Sequence, residues 1–162
     1  MPGDGWARRR PLPLRVAQGL FGRLIGLIAP VHARLALATS GRISPGLGPR
    51  PGIILETTGR RSGAARRVVL TYLADGPRIV LIASNYGRAG DPAWFSNLTA
   101  EPHVGVIRRG RRERYVARVA TGTERIDLLR RTDDANFGVY AAYSRRTARE
   151  IPVVVLDPER IA

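Results

Sequence analysis

The chain has 162 residues, 44% of them hydrophobic, with a formal net charge of +14 and a pI near 11.6. That length suits one domain with a real core, and the lack of cysteine excludes a disulfide framework, a thiol nucleophile and a cysteine metal site. Every basic side chain is arginine, which excludes a Schiff-base lysine and a Walker-type phosphate lysine. The positive field favours an acidic partner: nucleic acid, an anionic membrane surface or an acidic small molecule. The only imidazoles, His32 and His103, lie far apart without metal-site spacing, so no metal is expected.

In chain order, residues 1–13 are basic and proline-rich and read as a disordered arm, with no signal-peptide pattern. Residues 14–40 form an expected amphipathic helix, with Leu20, Leu24, Leu27 and Ile28 at helical spacing and a kink near Pro30. Arg15, Arg23 and Arg34 interrupt its apolar run, which falls short of a membrane span. The stretch 14–38 either packs over the rest of the fold or lies on an anionic membrane face, which would put the protein in the cytoplasm, on the inner side of the membrane. Residues 41–51 are a glycine- and proline-rich linker, and 52–162 form the folded domain.

Within that domain, strands are expected over residues 52–58, 65–74 and 78–84, with a turn at Asp75-Gly76-Pro77. In the third, Ile79, Leu81 and Ala83 alternate with Val80, Ile82 and Ser84, so both faces are apolar, as in a central strand. Asp91-Pro92 predicts a helix over 93–100, with the carboxylate as N-cap and proline at the first helical position. Strands over 103–108 and 112–120 pair as a hairpin, and Thr121 with Glu124 has the spacing of a capping box. A helical region runs from there towards Glu150, broken near residues 136–138, and a final strand spans 152–156. Consecutive strands with few crossover helices predict an antiparallel barrel of all-β or α+β type.

The chemistry-bearing feature is the turn Gly59-Arg60-Arg61-Ser62-Gly63, followed by Arg66-Arg67 at the start of the next strand. Glycines expose backbone N–H groups and guanidinium forks match phosphate or carboxylate oxygens, so the turn reads as an anion site or as a solvated hairpin tip. Glu56 reads as outward-facing and Asp91 as a cap, so the two are not a general acid/base pair.

TTGRRSG (57–63), a valine-rich strand, ASNYG (83–87) and DPAWFSNLTAEPHVGV (91–106) follow in an order and spacing that resembles the deazaflavin (coenzyme F420)-dependent nitroreductase and quinone reductase family. The similarity covers residues 53–106, with a weaker echo at FGVYAAYSRRTAREIPVVV (137–155). It implies a split β-barrel of the FMN-binding type that binds the 8-hydroxy-5-deazaflavin coenzyme F420. The implied reaction is hydride transfer to an electron-poor acceptor: a quinone, a nitroaromatic or an enone. By the same resemblance, Arg60, Arg61 and Arg66 match contacts to the coenzyme's phosphate and polyglutamate tail. Val69 and Leu70 match strand positions beside the ring, and Ala83, Ser84 and Asn85 match the next strand end. Several members carry lysine where Asn85 stands, so one charged contact is lost. Pro92, Ala93, Trp94 and Asn97 match the helix start that approaches the deazaflavin, with Trp94 read equally as a core anchor. Tyr140 and Tyr143 match lid tyrosines that either donate a proton to the acceptor, alongside the Ser84 hydroxyl, or pack on the barrel. Phe137 replaces another lid aromatic.

Alternatives of other kinds are an FMN oxidoreductase on the same barrel, a non-catalytic deazaflavin carrier, and a nucleic-acid binder supported only by charge. A recognition helix and arginine-interleaved aromatics are lacking, so no specific nucleic acid is expected. The resemblance allows a homodimer, since dimerisation is common among split barrels.

Overall fold

The computed structural model describes residues 30–42 and 51–159. The expected basic arm, the helix before residue 30 with its kink, and most of the linker lie outside the described residues. Residues 30–38 are helical (α1). Ala36 is fully buried, and a side chain on Gly41 would meet Ile107 and Ile54, so this end of α1 rests on the sheet. No described helix is long and apolar enough to cross a membrane.

Seven strands form one antiparallel sheet in the order β2-β1-β5-β6-β7-β4-β3: β1 (Gly52–Thr58), β2 (Ala65–Thr71), β3 (Leu73–Asp75), β4 (Arg78–Ile82), β5 (His103–Arg108), β6 (Arg111–Val119) and β7 (Val153–Pro158). The sheet curls into the split-barrel architecture, with helices α2 (Ala93–Ala100), α3 (Gly122–Ala135) and α4 (Val139–Ser144) flanking it. The two ends of the strand order are one stretch of chain. β2 and β3 are separated only by Tyr72, whose N–H donates to Pro51 O as a last rung of the β1–β2 register; Pro51 has no N–H to return, and that pairing ends there.

This bend corrects the single strand expected over 65–74. Tyrosine favours strands and the apolar pattern runs through it unbroken, so nothing local marks the corner. The third and last strands also shift, ending at Ile82 and running Val153–Pro158. Ala83 N–H still donates to Pro152 O in the β4–β7 register, but proline has no N–H to return, so the ladder ends there.

Burial follows the alternation in β4. Ile79, Leu81 and Ala83 join Ile53, Leu55, Val106, Leu156 and the α2 residues Trp94 and Leu98 inside the barrel. Val80 and Ile82 face the other way, into a second core with Val153, Val155, Leu128, Leu129 and Tyr140 beneath α3 and α4. Each side chain of that size gains about 1.5–3 kcal/mol from burial, so a strand buried on both faces contributes twice over to cohesion.

Two capping expectations are overturned. The N-cap of α2 is Pro92, with no side-chain hydrogen bond, and the Asp91 carboxylate instead accepts from Arg149 at 2.8 Å. Thr121 is the N-cap of α3 but makes no capping bond, and Glu124 is drawn out of the capping box by a two-pronged pair with Arg118. In both cases a guanidinium competes successfully for a carboxylate that would otherwise cap.

Candidate active site

The turn between β1 and β2 is held by its own backbone: Gly59 N–H donates to Ala64 O (2.8 Å), and Gly63 N–H to Gly59 O (2.7 Å). Asn97, buried on α2, ties this turn to the helix. Its Oδ1 accepts from Arg60 N–H (3.2 Å) and its Nδ2 donates to Thr57 Oγ1 (3.3 Å). A short helix and a basic turn, 37 residues apart in sequence, therefore become the two walls of one open cleft of about 410 Å³.

Arg60, Arg61, Arg66, Ala93, Trp94 and Asn97 all line this cleft, together with Thr57, Gly59, Ser62, Arg67 and Val68. Trp94 does double duty, with most of its ring in the barrel core and the rest at the cleft wall. The charges are unequal. Arg67 is paired with Glu56 (2.8 Å), which also holds Arg112, whereas Arg60, Arg61 and Arg66 have no carboxylate partner among the described residues. The Arg66 guanidinium only reaches Ser62 Oγ (3.4 Å). Ion pairs elsewhere on the sheet neutralise many arginines, so three unpaired guanidinia on one turn and the strand start beside it are a local concentration of available positive charge. In the first turn of α2, Phe95 and Ser96 N–H go to Pro92 O, and those of Ala93 and Trp94 have no acceptor among the described residues. Free N–H groups at a helix start add to the preference for electron-rich ligand atoms.

The remaining expected residues lie elsewhere. Val69 sits on the opposite face of β2 from Val68, partly buried, while Leu70 packs against the barrel core. Ala83 is fully buried and Ser84 nearly so. Asn85 donates from Nδ2 to Gly90 O (2.9 Å), closing the loop that leads to Pro92. Tyr140 and Tyr143 come together as their spacing implies, edge to face at 6.2 Å between ring centres. Tyr140 is buried, its hydroxyl 3.3 Å from Thr71 Oγ1 at the end of β2, and Tyr143 is partly buried. Asp133, buried at the end of α3, accepts from Tyr140 and Ala141 N–H (2.8 and 3.1 Å), which fixes the start of α4 and so the position of both rings.

Sequence reasoning passed over three residues here. Tyr86, 69% exposed, packs its ring edge to face on Tyr143 at 6.0 Å. It stands in a left-handed turn (Asn85 φ 46°, Tyr86 φ 58°, Gly87 φ 77°), a conformation that costs a bulky residue about 1–3 kcal/mol. Gly87 is required there, since a side chain would come within 2.8 Å of Tyr143 O. Arg149 holds the loop that precedes α2. The one usable signal was the left-handed preference of Asn-Tyr-Gly; Tyr86 and Arg149 had none, because their contacts are long-range.

A sequence model described as F420H(2)-dependent quinone reductase matches residues 30–158. The chain is 33% identical over 129 residues to the F420H(2)-dependent quinone reductase Rv1261c of Mycobacterium tuberculosis, covering 78% of this chain and 87% of that one. Among solved structures, an F420-H2 dependent reductase (FDR-A) superposes with a TM-score of 0.61 at 30% identity, covering 69% of this chain and all of the other. A second, described as a domain-swapped dimer, gives a TM-score of 0.62 at 25% identity over 90% of this chain and all of its own.

Proposed function

Because the chain belongs to the F420H(2)-dependent quinone reductase family, we propose that it reduces a quinone-like acceptor with coenzyme F420 held in the cleft between the basic turn and α2. The observation that carries this placement is the set of unpaired guanidinia of Arg60, Arg61 and Arg66 beside the free N–H groups of the α2 start. A coenzyme with a phosphodiester and a carboxylate-rich tail needs such a set, and the cleft volume of about 410 Å³ falls in the usual range for small-molecule sites. When bound, reduced F420 supplies a hydride, and the acceptor takes it together with a proton to become the hydroquinone. The arginines bind the tail and fix its direction, Trp94 and Ala93 wall off the ring side, and Val68 supplies apolar contact. The phenol of Tyr143 faces the acceptor and hydrogen-bonds its oxygen as charge develops there, while the buried Tyr140 packs against it and holds the ring pair in place.

Fluorescence titration with oxidised F420, followed by oxidation of its reduced form with menadione, tests the reading. Binding with acceptor-dependent oxidation supports it; binding without turnover points to a carrier; FMN binding in place of F420 overturns the coenzyme assignment.

A membrane-surface contact is supported by Val31 and Leu35, which are 57% and 49% exposed one helical turn apart on α1. Flotation of the full chain with anionic liposomes, lost when the chain starts at Gly41, is the expected result, and unchanged flotation removes the idea. A homodimer is supported by the swapped-dimer relative, and sedimentation measures it directly.

A further inference from the structure

Arg149 lies outside the cleft and the tyrosine group, yet it touches the chain that joins them. Its Nη2 donates to Ala83 O (3.0 Å) and Ser84 O (2.9 Å), its Nε to Arg88 O (3.1 Å) and its Nη1 to Asp91 Oδ1 (2.8 Å). The segment so gripped, residues 83–91, has only one short turn of its own, built from three successive left-handed residues. One end of it runs into Pro92 and the cleft residues Ala93 and Trp94; its middle presents Tyr86 to Tyr143. A planar fork with five donors can bind several acceptors in fixed directions, which a point-like ammonium cannot.

We propose that Arg149 is a positioning residue that fixes the 83–91 segment, and through it both the α2 wall of the cleft and the Tyr86–Tyr143 contact. The inference rests on the reading that the cleft takes F420. It reaches further in naming one side chain, remote from any ligand contact, that sets coenzyme affinity and acceptor geometry together. Without it, the Ala83 and Arg88 carbonyls lose the Arg149 donor and Ser84 O keeps only the Gly87 N–H, so a strained loop is free to relax towards ordinary backbone angles.

The test compares the wild type with Arg149→Ala, Arg149→Lys, Asp91→Ala and the double variant. Asp91→Ala removes one contact from a half-exposed position and keeps the fold, so the test survives if Arg149→Ala does not. Amide hydrogen exchange reads the segment without any ligand, and fluorescence titration reads the Kd for oxidised F420. The expected result is faster exchange confined to residues 84–95 and a Kd raised about tenfold in Arg149→Ala and about threefold in Asp91→Ala. The double variant should be no worse than Arg149→Ala alone, because Asp91 acts through that guanidinium. Arg149→Lys should restore less than half of the loss. Unchanged exchange in Asp91→Ala and Arg149→Ala overturns the proposal, as does faster exchange with an unchanged Kd, which would make the arginine merely structural. A wild type that does not bind F420 defeats the coenzyme reading, and the clamp is then overturned or upheld by the exchange pattern over the α2 start.

Discussion

At the residue scale, the arginines of the cleft divide by whether a carboxylate already holds them. Replacing Arg60, Arg61 or Arg66 by alanine should cost about 1.5 kcal/mol of coenzyme binding each, somewhat over tenfold in Kd. Arg67→Ala should cost less than half of that, since Glu56 already takes its guanidinium. Fluorescence titration of the four variants decides it: equal losses would mean that pairing with Glu56 is irrelevant to the site. The first three residues were legible in the sequence because glycine-bounded arginine turns have a local meaning. Their difference from Arg67 was not, because it depends on the register that sets Glu56 opposite Arg67. Likewise the Asp91-Pro92 signal for a helix start gave the right helix and the wrong cap, since the competing cation stands 58 residues away.

At the element scale, α4 is short and depends on what surrounds it: the Asp133 carboxylate at its start and Gly87 against its end. Gly87→Ala combines a left-handed backbone with a close approach to Tyr143 O and should destabilise by about 2 kcal/mol in a denaturant titration. The two tyrosines of α4 should separate by role. Tyr140→Phe loses the contact with Thr71 Oγ1 and should lower stability by about 1 kcal/mol. Tyr143→Phe keeps the ring packing and should act mainly on kcat for the acceptor. Steady-state kinetics beside thermal melts would reverse these assignments if turnover falls with Tyr140→Phe alone. The ends of β1, α2 and β5 could be read from periodicity and breakers, whereas the two tyrosines were picked out only by the family resemblance. The corner at Tyr72 could not, because it is produced by barrel closure rather than by any residue preference.

At the scale of the whole molecule, carboxylates stitched to arginines set the response to acid. For Glu56, burial pushes the pKa up, but hydrogen bonds and charge from Arg67 and Arg112 outweigh it and leave it below its ordinary value. Asp75 behaves alike, with Arg131 and Arg78 overcoming burial, and for Glu113 the hydrogen bond from Arg108 is the leading cause of the lowering. A depressed folded pKa gives stability that is present above the unfolded value and is lost as pH falls through the folded one. The melting temperature should therefore hold steady down to about pH 5 and drop below about pH 4. A decline already visible between about pH 7 and 6 would point to histidine instead. Coenzyme binding should also weaken as salt rises, since a net charge of +14 attracts an anion over distances that salt screens. β7 is the last strand in sequence, yet it lies between β6 and β4. While the chain is being synthesised, β2-β1-β5-β6 and β4-β3 can form as two separate ribbons, each with an unpaired edge, until residues 153–158 emerge. A nascent chain stalled before Val153 offers both edges to its neighbours, and a copy that borrows β7 from another chain completes the same strand order as an exchanged pair.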